Sequence, residues 1–243
     1  MADLLTETNR LAEAEPLHRR ALAIREQSYG PDHPDVANSL NNLALLLFNI
    51  KHFSEAEPLY WRVLSIRERS YGPDHPDVAN SLNNLAVTLD AMNRLAEAEP
   101  LHRRALAIRE QSCGPEHPDV ALSLSQLASL LRRMSRPAEA EPLYRRALAI
   151  WEQSYGSDHP NVGRSLNGIA LVLQAMDRLS EAEPLLRRSV TIYSQFTRAT
   201  GEQHPHLTEV VKDYRTLLEL MGLPEQARQQ RLLDAGVDPE WLE

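Results

Sequence analysis

Apolar residues along this chain recur at intervals of three and four positions, which is the spacing of amphipathic α-helices. In the stretch 34–73, one such set consists of Val36, Leu40, Leu43, Ala44 and Leu47. A second set consists of Ala56, Leu59, Tyr60, Val63 and Ile66. A short polar stretch separates the two sets. The segment therefore predicts a helical hairpin, in which two antiparallel helices face each other through their apolar sides.

The hairpin pattern returns with a period of 42 residues, the interval from His33 to His75. The pair His-Pro stands at 33–34, 75–76, 117–118 and 159–160, and at 204–205 after a three-residue insertion. A hairpin that repeats at a fixed period buries its apolar face against the next copy, which gives an all-α solenoid of stacked antiparallel helical hairpins. The predicted parts are a partial repeat at 1–30, repeats at about 34–72, 76–114, 118–156 and 160–200, and a final helix at 205–221.

These parts form one predicted solenoid domain over residues 1–222. A C-terminal capping helix and tail are predicted at 223–243, with the helix beginning near Pro224. At the other end, residues 2–8 correspond to only the second half of a first helix. Because natural arrays need covered terminal repeats, we expect the chain to be either a fragment of a longer array or a protein that covers this N-terminal end by self-association.

Helix boundaries are marked by a small set of residues in each repeat. Pro34 suits the first position of a helix, because its missing N–H has no partner there, and His33 before it is interpreted as a capping residue. Ser54 and Glu57 fit a capping box for the second helix, and Ser180 begins the same pattern in a later repeat. Gly72 is expected to end the second helix with a positive φ.

Charge and composition exclude several classes of protein. The formal net charge of −8 argues against a general nucleic-acid binder, which needs a basic surface to neutralise phosphates. The longest apolar run, 43–48, is far shorter than the roughly 20 residues that span a bilayer, so no membrane partner is expected. The single cysteine, Cys113, excludes an intrachain disulfide and favours a reducing, cytoplasmic compartment.

The repeat resembles a known family in four segments: Ala23–Glu26, Ala56–Tyr60, Gly72–Ala79 and Leu82–Ala86. These segments look like the tetratricopeptide repeat of the kinesin light chain type, which nephrocystin-type and many bacterial proteins share. The resemblance implies a right-handed α-solenoid whose concave groove binds an extended peptide through polar side chains of the first helix of each repeat. The chain lacks the heptad coiled coil of kinesin light chains, so the resemblance does not imply a motor adaptor.

The resemblance assigns the groove to matching positions in the first helix of each repeat. From the first and second complete repeats these are Asn38, Asn41, Asn42, Leu45, Phe48, Asn49, Asn80, Asn83, Asn84, Val87 and Asp90. From the third and fourth they are Ser125, Gln126, Ser129, Arg132, Arg133, Arg164, Asn167 and Gln174. Amide side chains can both donate to and accept from a peptide backbone. The three arginines favour an acidic partner segment through charge-assisted hydrogen bonds.

The leading hypothesis is therefore a scaffold that binds a protein or peptide partner, with no catalytic site, cofactor or metal. The asparagines have an alternative interpretation, in which they bond to neighbouring helices or face water. The recurring histidines suggest a metal ladder, but their position beside a proline at each helix start favours capping. Two further hypotheses are a structural array that assembles with copies of itself through its N-terminal end, and a sensor segment of a larger signalling protein.

Overall fold

The structure of the chain is a computed structural model that describes residues 11–239. The half-helix predicted at residues 2–8 lies outside the described residues. Contacts divide the chain into two compact units, which meet in the sequence between Pro115 and Glu116. Each unit is built from helices, and the described residues contain no strand.

The first unit contains the helices α1 (Leu11–Tyr29), α2 (Pro34–Asn49), α3 (Phe53–Tyr71), α4 (Pro76–Ala91) and α5 (Leu95–Cys113). The second contains α6 (Pro118–Arg133), α7 (Pro137–Tyr155), α8 (Pro160–Ala175), α9 (Leu179–Thr200), α10 (Leu207–Leu220) and α11 (Glu225–Asp234). The hairpins are α2 with α3, α4 with α5, α6 with α7, and α8 with α9. The predicted helix near Pro224 is present as α11, which packs on α10.

The apolar positions read from the sequence form the core of each hairpin. Val36 and Leu40 of α2 are fully buried and pack with Val63 and Ile66 of α3. Full burial of such a side chain is worth roughly 1.5–3 kcal/mol. The repeated alanines Ala56 and its equivalents are also fully buried, where their small side chains let neighbouring helices approach closely. The amphipathic pattern is therefore confirmed.

The first helix of each complete hairpin begins as the His-Pro pair predicts. The Nδ1 atom of His33 accepts a hydrogen bond from the N–H of Asp35 at 3.1 Å, and Pro34 occupies the first helical turn. His75, His117 and His159 make the same bond at 3.1–3.2 Å. The interpretation of these histidines as helix caps is confirmed.

The capping boxes predicted at Ser54 and Ser180 are wrong. The second helices begin at Phe53 and Leu179, one residue before each serine, and their N-cap residues make no side-chain cap bond. The reason is the tight turn that ends each first helix. Asn93, for example, has a left-handed φ of 61°, and the next N–H, that of Arg94, returns to the carbonyl of Leu89 at 2.9 Å. This arrangement is a Schellman motif, which directs the chain into the next helix without a capping side chain.

The second helices end as expected at glycines with positive φ. Gly72 has a φ of 91°, a backbone conformation that residues with a Cβ rarely adopt. Its N–H donates to the carbonyl of Glu68 at 3.0 Å and completes the last turn.

Candidate functional site

In the first unit, several predicted groove asparagines bond to other side chains of the same unit. Asn38 accepts a hydrogen bond from Arg67 at 3.2 Å, and Asn80 accepts one from Arg109 at 2.8 Å. Asn84 donates to Asn41 at 3.1 Å. These amides contribute to packing between helices, as the structural alternative supposes.

The remaining predicted positions of this unit are varied. The residues Asn42, Leu45 and Asn49 are exposed. Phe48 packs against Phe53 with ring centroids 5.2 Å apart. Val87 is half-buried, and Asp90 interacts electrostatically with the buried His102. Asn83 is 8% exposed, and its Oδ1 has no hydrogen-bond partner among the described residues.

In the second unit, the predicted positions come together around one cavity of about 290 Å³. Six of them line it: Ser125, Gln126, Ser129, Arg132, Arg164 and Asn167. Arg133 and Gln174 are not among its lining residues; the first is exposed and the second is half-buried near the end of α8. The remaining lining residues are Tyr144, Gly168, Leu171, Tyr193, His206, Glu209 and Val210.

Sequence reasoning missed the contribution of α10 to this cavity, although a signal for it was present. The His-Pro pair at 204–205 sets the register of α10 as another first helix. In that register Glu209 occupies the place of Arg164, and Asp213 occupies the place of Gly168. The helix α10 is therefore the first helix of a fifth repeat. It brings the carboxylate of Glu209 to the cavity wall, where α8 brings the guanidinium of Arg164.

Tyr144 forms part of the cavity because Gly168 leaves room for its ring. A Cβ added at Gly168 would lie 2.5 Å from Cε1 of Tyr144, which is closer than any real contact. The Tyr144 hydroxyl is hydrogen-bonded to Ser129 and Arg132, and burial of the ring raises its pKa. At the position of Gly168 the preceding repeats carry Asn42, Asn84 and Gln126.

At Arg164, both the residue and its partner on the second helix differ from those of the first two complete repeats. Asn38 and Asn80 stand at the same position and accept hydrogen bonds from the arginines Arg67 and Arg109 of the following second helix. In the last hairpin that arginine is replaced by Tyr193, which interacts electrostatically with Arg164. The hydrogen-bonded pair is thus replaced by a guanidinium beside an aromatic ring, and both line the cavity.

Several polar atoms at the cavity have no hydrogen-bond partner in the described part of the chain. They are the hydroxyl of Ser125, the amide oxygens of Gln126 and Asn167, and the Nε atoms of Arg132 and Arg164. Ser125 is only 6% exposed. A buried polar group left unpaired costs roughly 1–3 kcal/mol, so these atoms are candidate contacts for a polar ligand or for ordered water.

Charges of both signs surround the cavity. Arg132 and Arg164 supply positive charge, and Glu209 supplies negative charge. Behind them, Asp213 accepts a hydrogen bond from Asn167 at 3.1 Å. Burial raises the pKa of Asp213, while the hydrogen bond and the charge of Arg132 act in the opposite direction.

Over residues 11–239, no three His, Cys, Asp or Glu side chains are grouped so that they could hold a metal ion. In the same range, no helix is long and apolar enough to cross a membrane.

The family of the chain follows from a comparison with family models. A tetratricopeptide repeat model matches residues 1–68, 53–111, 91–150 and 119–195. The chain belongs to the tetratricopeptide repeat family. Proteins of this family generally mediate protein–protein interactions, their fold is typically non-enzymatic, and no catalytic family is indicated for this chain.

Solved tetratricopeptide structures share this fold. A Podosopora anserina protein, whose name describes a kinesin light chain with nearly identical TPR-like repeats, is 26% identical to this chain and has a TM-score of 0.70. The match covers 81% of this chain and 93% of that chain. BtubC (BKLC) from P. vanneervenii has 20% identity and a TM-score of 0.74, with 96% and 93% covered. YrrB, a TPR protein with an unusual peptide-binding site, has 16% identity and a TM-score of 0.53, with 91% and 95% covered. A comparison with curated proteins gives no match.

Proposed function

We propose that the tetratricopeptide array binds an extended peptide segment of a partner protein, and that the cavity of the second unit is the principal contact. The observation that carries this proposal is the set of unpaired polar atoms at the cavity. It contains two N–H donors, on Arg132 and Arg164, and two amide acceptors, on Gln126 and Asn167.

This mixture of donors and acceptors matches a peptide backbone better than a simple anion. A peptide presents carbonyl acceptors and N–H donors in turn, so it can pair with both kinds of group. A phosphate would satisfy the arginines but leave the amide oxygens of Gln126 and Asn167 unpaired, which is costly in a buried site. The arginines also favour an acidic side chain on the bound segment, because a guanidinium binds a carboxylate with two parallel hydrogen bonds.

The proposal is tested by selecting a random peptide library on the purified protein. The dissociation constants of the selected synthetic peptides are then measured by isothermal titration calorimetry. We expect Arg132→Ala and Asn167→Ala each to weaken binding about tenfold or more, since each removes a half-buried polar partner of the ligand.

Arg133→Ala and Asn42→Ala are matched controls. Each removes the same kind of group from an exposed position that does not line the cavity. Circular dichroism and the unfolding midpoint establish that all four variants fold. The proposal is overturned if the selection yields no peptide, or if Arg133→Ala weakens binding as much as Arg132→Ala does.

A further inference from the structure

The helix α10, which follows the last hairpin, reverses the charge of the cavity wall. In the register of the repeat, Glu209 of α10 follows Arg164 of α8, and α8 and α10 are in contact. Both side chains line the cavity, together with Ser125, which is 6% exposed and whose hydroxyl lacks a hydrogen-bond partner in the described part of the chain. A ligand at this cavity therefore meets positive charge on one side and negative charge on the other.

The negative side of the cavity is formed by α10. Asp213 lies one turn after Glu209 on α10 and is fixed by its hydrogen bond from Asn167 at 3.1 Å. Glu209 is exposed at the rim, with its carboxylate 3.8 Å from Nδ1 of His206. The positive charges of Arg132 and of Lys212, which is exposed on the same helix as Asp213, both act on Asp213 and offset its negative charge. Glu209 therefore gives the α10 side of the cavity its negative charge.

We infer that the bound segment carries charges of both signs, an acidic residue against Arg132 and Arg164 and a basic residue against Glu209. This inference rests on the proposed peptide-binding function and assigns the chemistry of the partner. A wholly acidic segment would bring like charges together at α10, and such juxtaposition is strongly unfavourable at an interface.

The spacing of the two residues follows from helix geometry. Packed helices lie about 8–10 Å apart, and an extended chain in the polyproline II conformation advances about 3.1 Å per residue, with every third side chain on the same face. The acidic and basic residues are therefore about three positions apart in the partner.

The test uses fluorescence polarisation with synthetic peptides built on the best sequence from the random library. One peptide has a glutamate and a lysine three positions apart, one has glutamate at both places, and one has the two residues exchanged. We expect the first peptide to bind about tenfold more tightly than the other two. The full chain is used throughout.

Charge reversal on the protein provides the decisive control. Glu209→Lys should reverse the preference, so that the peptide with two glutamates binds more tightly than the mixed peptide. Glu209→Gln should reduce the preference for the mixed peptide. Thr216→Lys changes the net charge by the same amount as Glu209→Gln, at an exposed position of α10, and should leave that preference intact.

Failure of this inference is distinguishable from failure of the proposed function. If all three peptides bind equally and Arg132→Ala weakens each of them, the cavity binds peptides but the assignment of a basic residue is wrong. If Glu209→Lys leaves the preference unchanged, the assignment is also wrong. If neither Arg132→Ala nor Glu209→Lys affects any peptide, both proposals are wrong.

Discussion

The ring of Tyr144 lies directly over Gly168, so that a Cβ at position 168 would be 2.5 Å from Cε1 of the ring. This relationship between α7 and α8 lets Tyr144 reach Ser129 and Arg132 with its hydroxyl. Because the hydroxyl is bonded to Arg132, the guanidinium has a fixed direction at the cavity. A glycine in the middle of a helix costs roughly 0.5–1 kcal/mol relative to alanine. The contact with Tyr144 explains why position 168 nevertheless carries glycine.

Gly168→Ala should destabilise the second unit by about 1–3 kcal/mol, although alanine is the better helix former. The added methyl overlaps the Tyr144 ring, and the free-energy cost of this overpacking exceeds the gain from the higher helix propensity of alanine. The displaced ring also releases Arg132, so the affinity for a cavity-binding peptide should fall. Denaturant unfolding and calorimetric titration measure the two effects.

Tyr144→Leu supplies the control for this prediction, since Leu186 stands at the equivalent position of the next second helix. In the Tyr144→Leu background the smaller side chain should make Gly168→Ala neutral or slightly stabilising. The double-mutant cycle isolates the contact between the two residues. If Gly168→Ala costs the same in both backgrounds, the steric explanation is wrong.

Asn80→Ala should destabilise the first unit by about 1–3 kcal/mol. The substitution removes the acceptor, 2.8 Å away, of a guanidinium on Arg109 that is only 7% exposed. A buried charged donor that loses a partner carries the cost of its desolvation. Asn42→Ala, at an exposed position, should change stability by less than about 0.5 kcal/mol. Equal effects of the two substitutions on the urea midpoint would argue against a structural role for Asn80.

His102 should make the stability of the first unit depend on pH. Burial, assisted by the charge of Arg109 and opposed by Asp90, lowers the pKa of His102 to about 4. An unfolded histidine has a pKa of about 6.5, so the unfolded state takes up the proton first as the pH falls. The contribution of neutral His102 is therefore fully present above pH 6.5 and is lost between pH 6.5 and 4, by on the order of 3 kcal/mol.

His102→Tyr is the matched variant, because Tyr60 and Tyr144 occupy the same position in neighbouring repeats. Unfolding free energies from urea denaturation at pH 4 to 8 should fall more steeply with decreasing pH for the wild-type chain than for this variant. Parallel curves for the two proteins would contradict the assignment to His102.

His75→Ala should cost about 0.5–2 kcal/mol, whereas His75→Asn should cost little. The imidazole accepts the N–H of Asp77 at 3.1 Å, and asparagine is a good substitute at this position while alanine is not. His52 precedes α3 without a side-chain cap bond, so His52→Ala should change stability by less than about 0.5 kcal/mol. Thermal unfolding of the three variants tests the capping role of the repeated histidine.

Much of the fold could be read directly from the repeat, because the information is local. The spacing of Val36, Leu40 and Leu43 specifies a helix with one apolar face, and His33 with Pro34 specifies where the helix begins. The start of the second helix could not be read correctly. Ser54 fits a capping box, but the left-handed turn at Lys51 determines where the next helix begins.

By itself, the sequence determined the helical hairpins, their period and the first-helix positions that the family resemblance assigns to the groove. The tertiary structure decided how those positions differ. Asn38 and Asn80 are bonded by arginines of the next helix, whereas Ser125 and Asn167 keep unpaired atoms at a cavity. The physical reason is that hydrogen-bond satisfaction depends on partners one helix away in space but 26 to 46 positions away in the chain, as in the bonds of Ser189 to Gly163 and of Asn167 to Asp213.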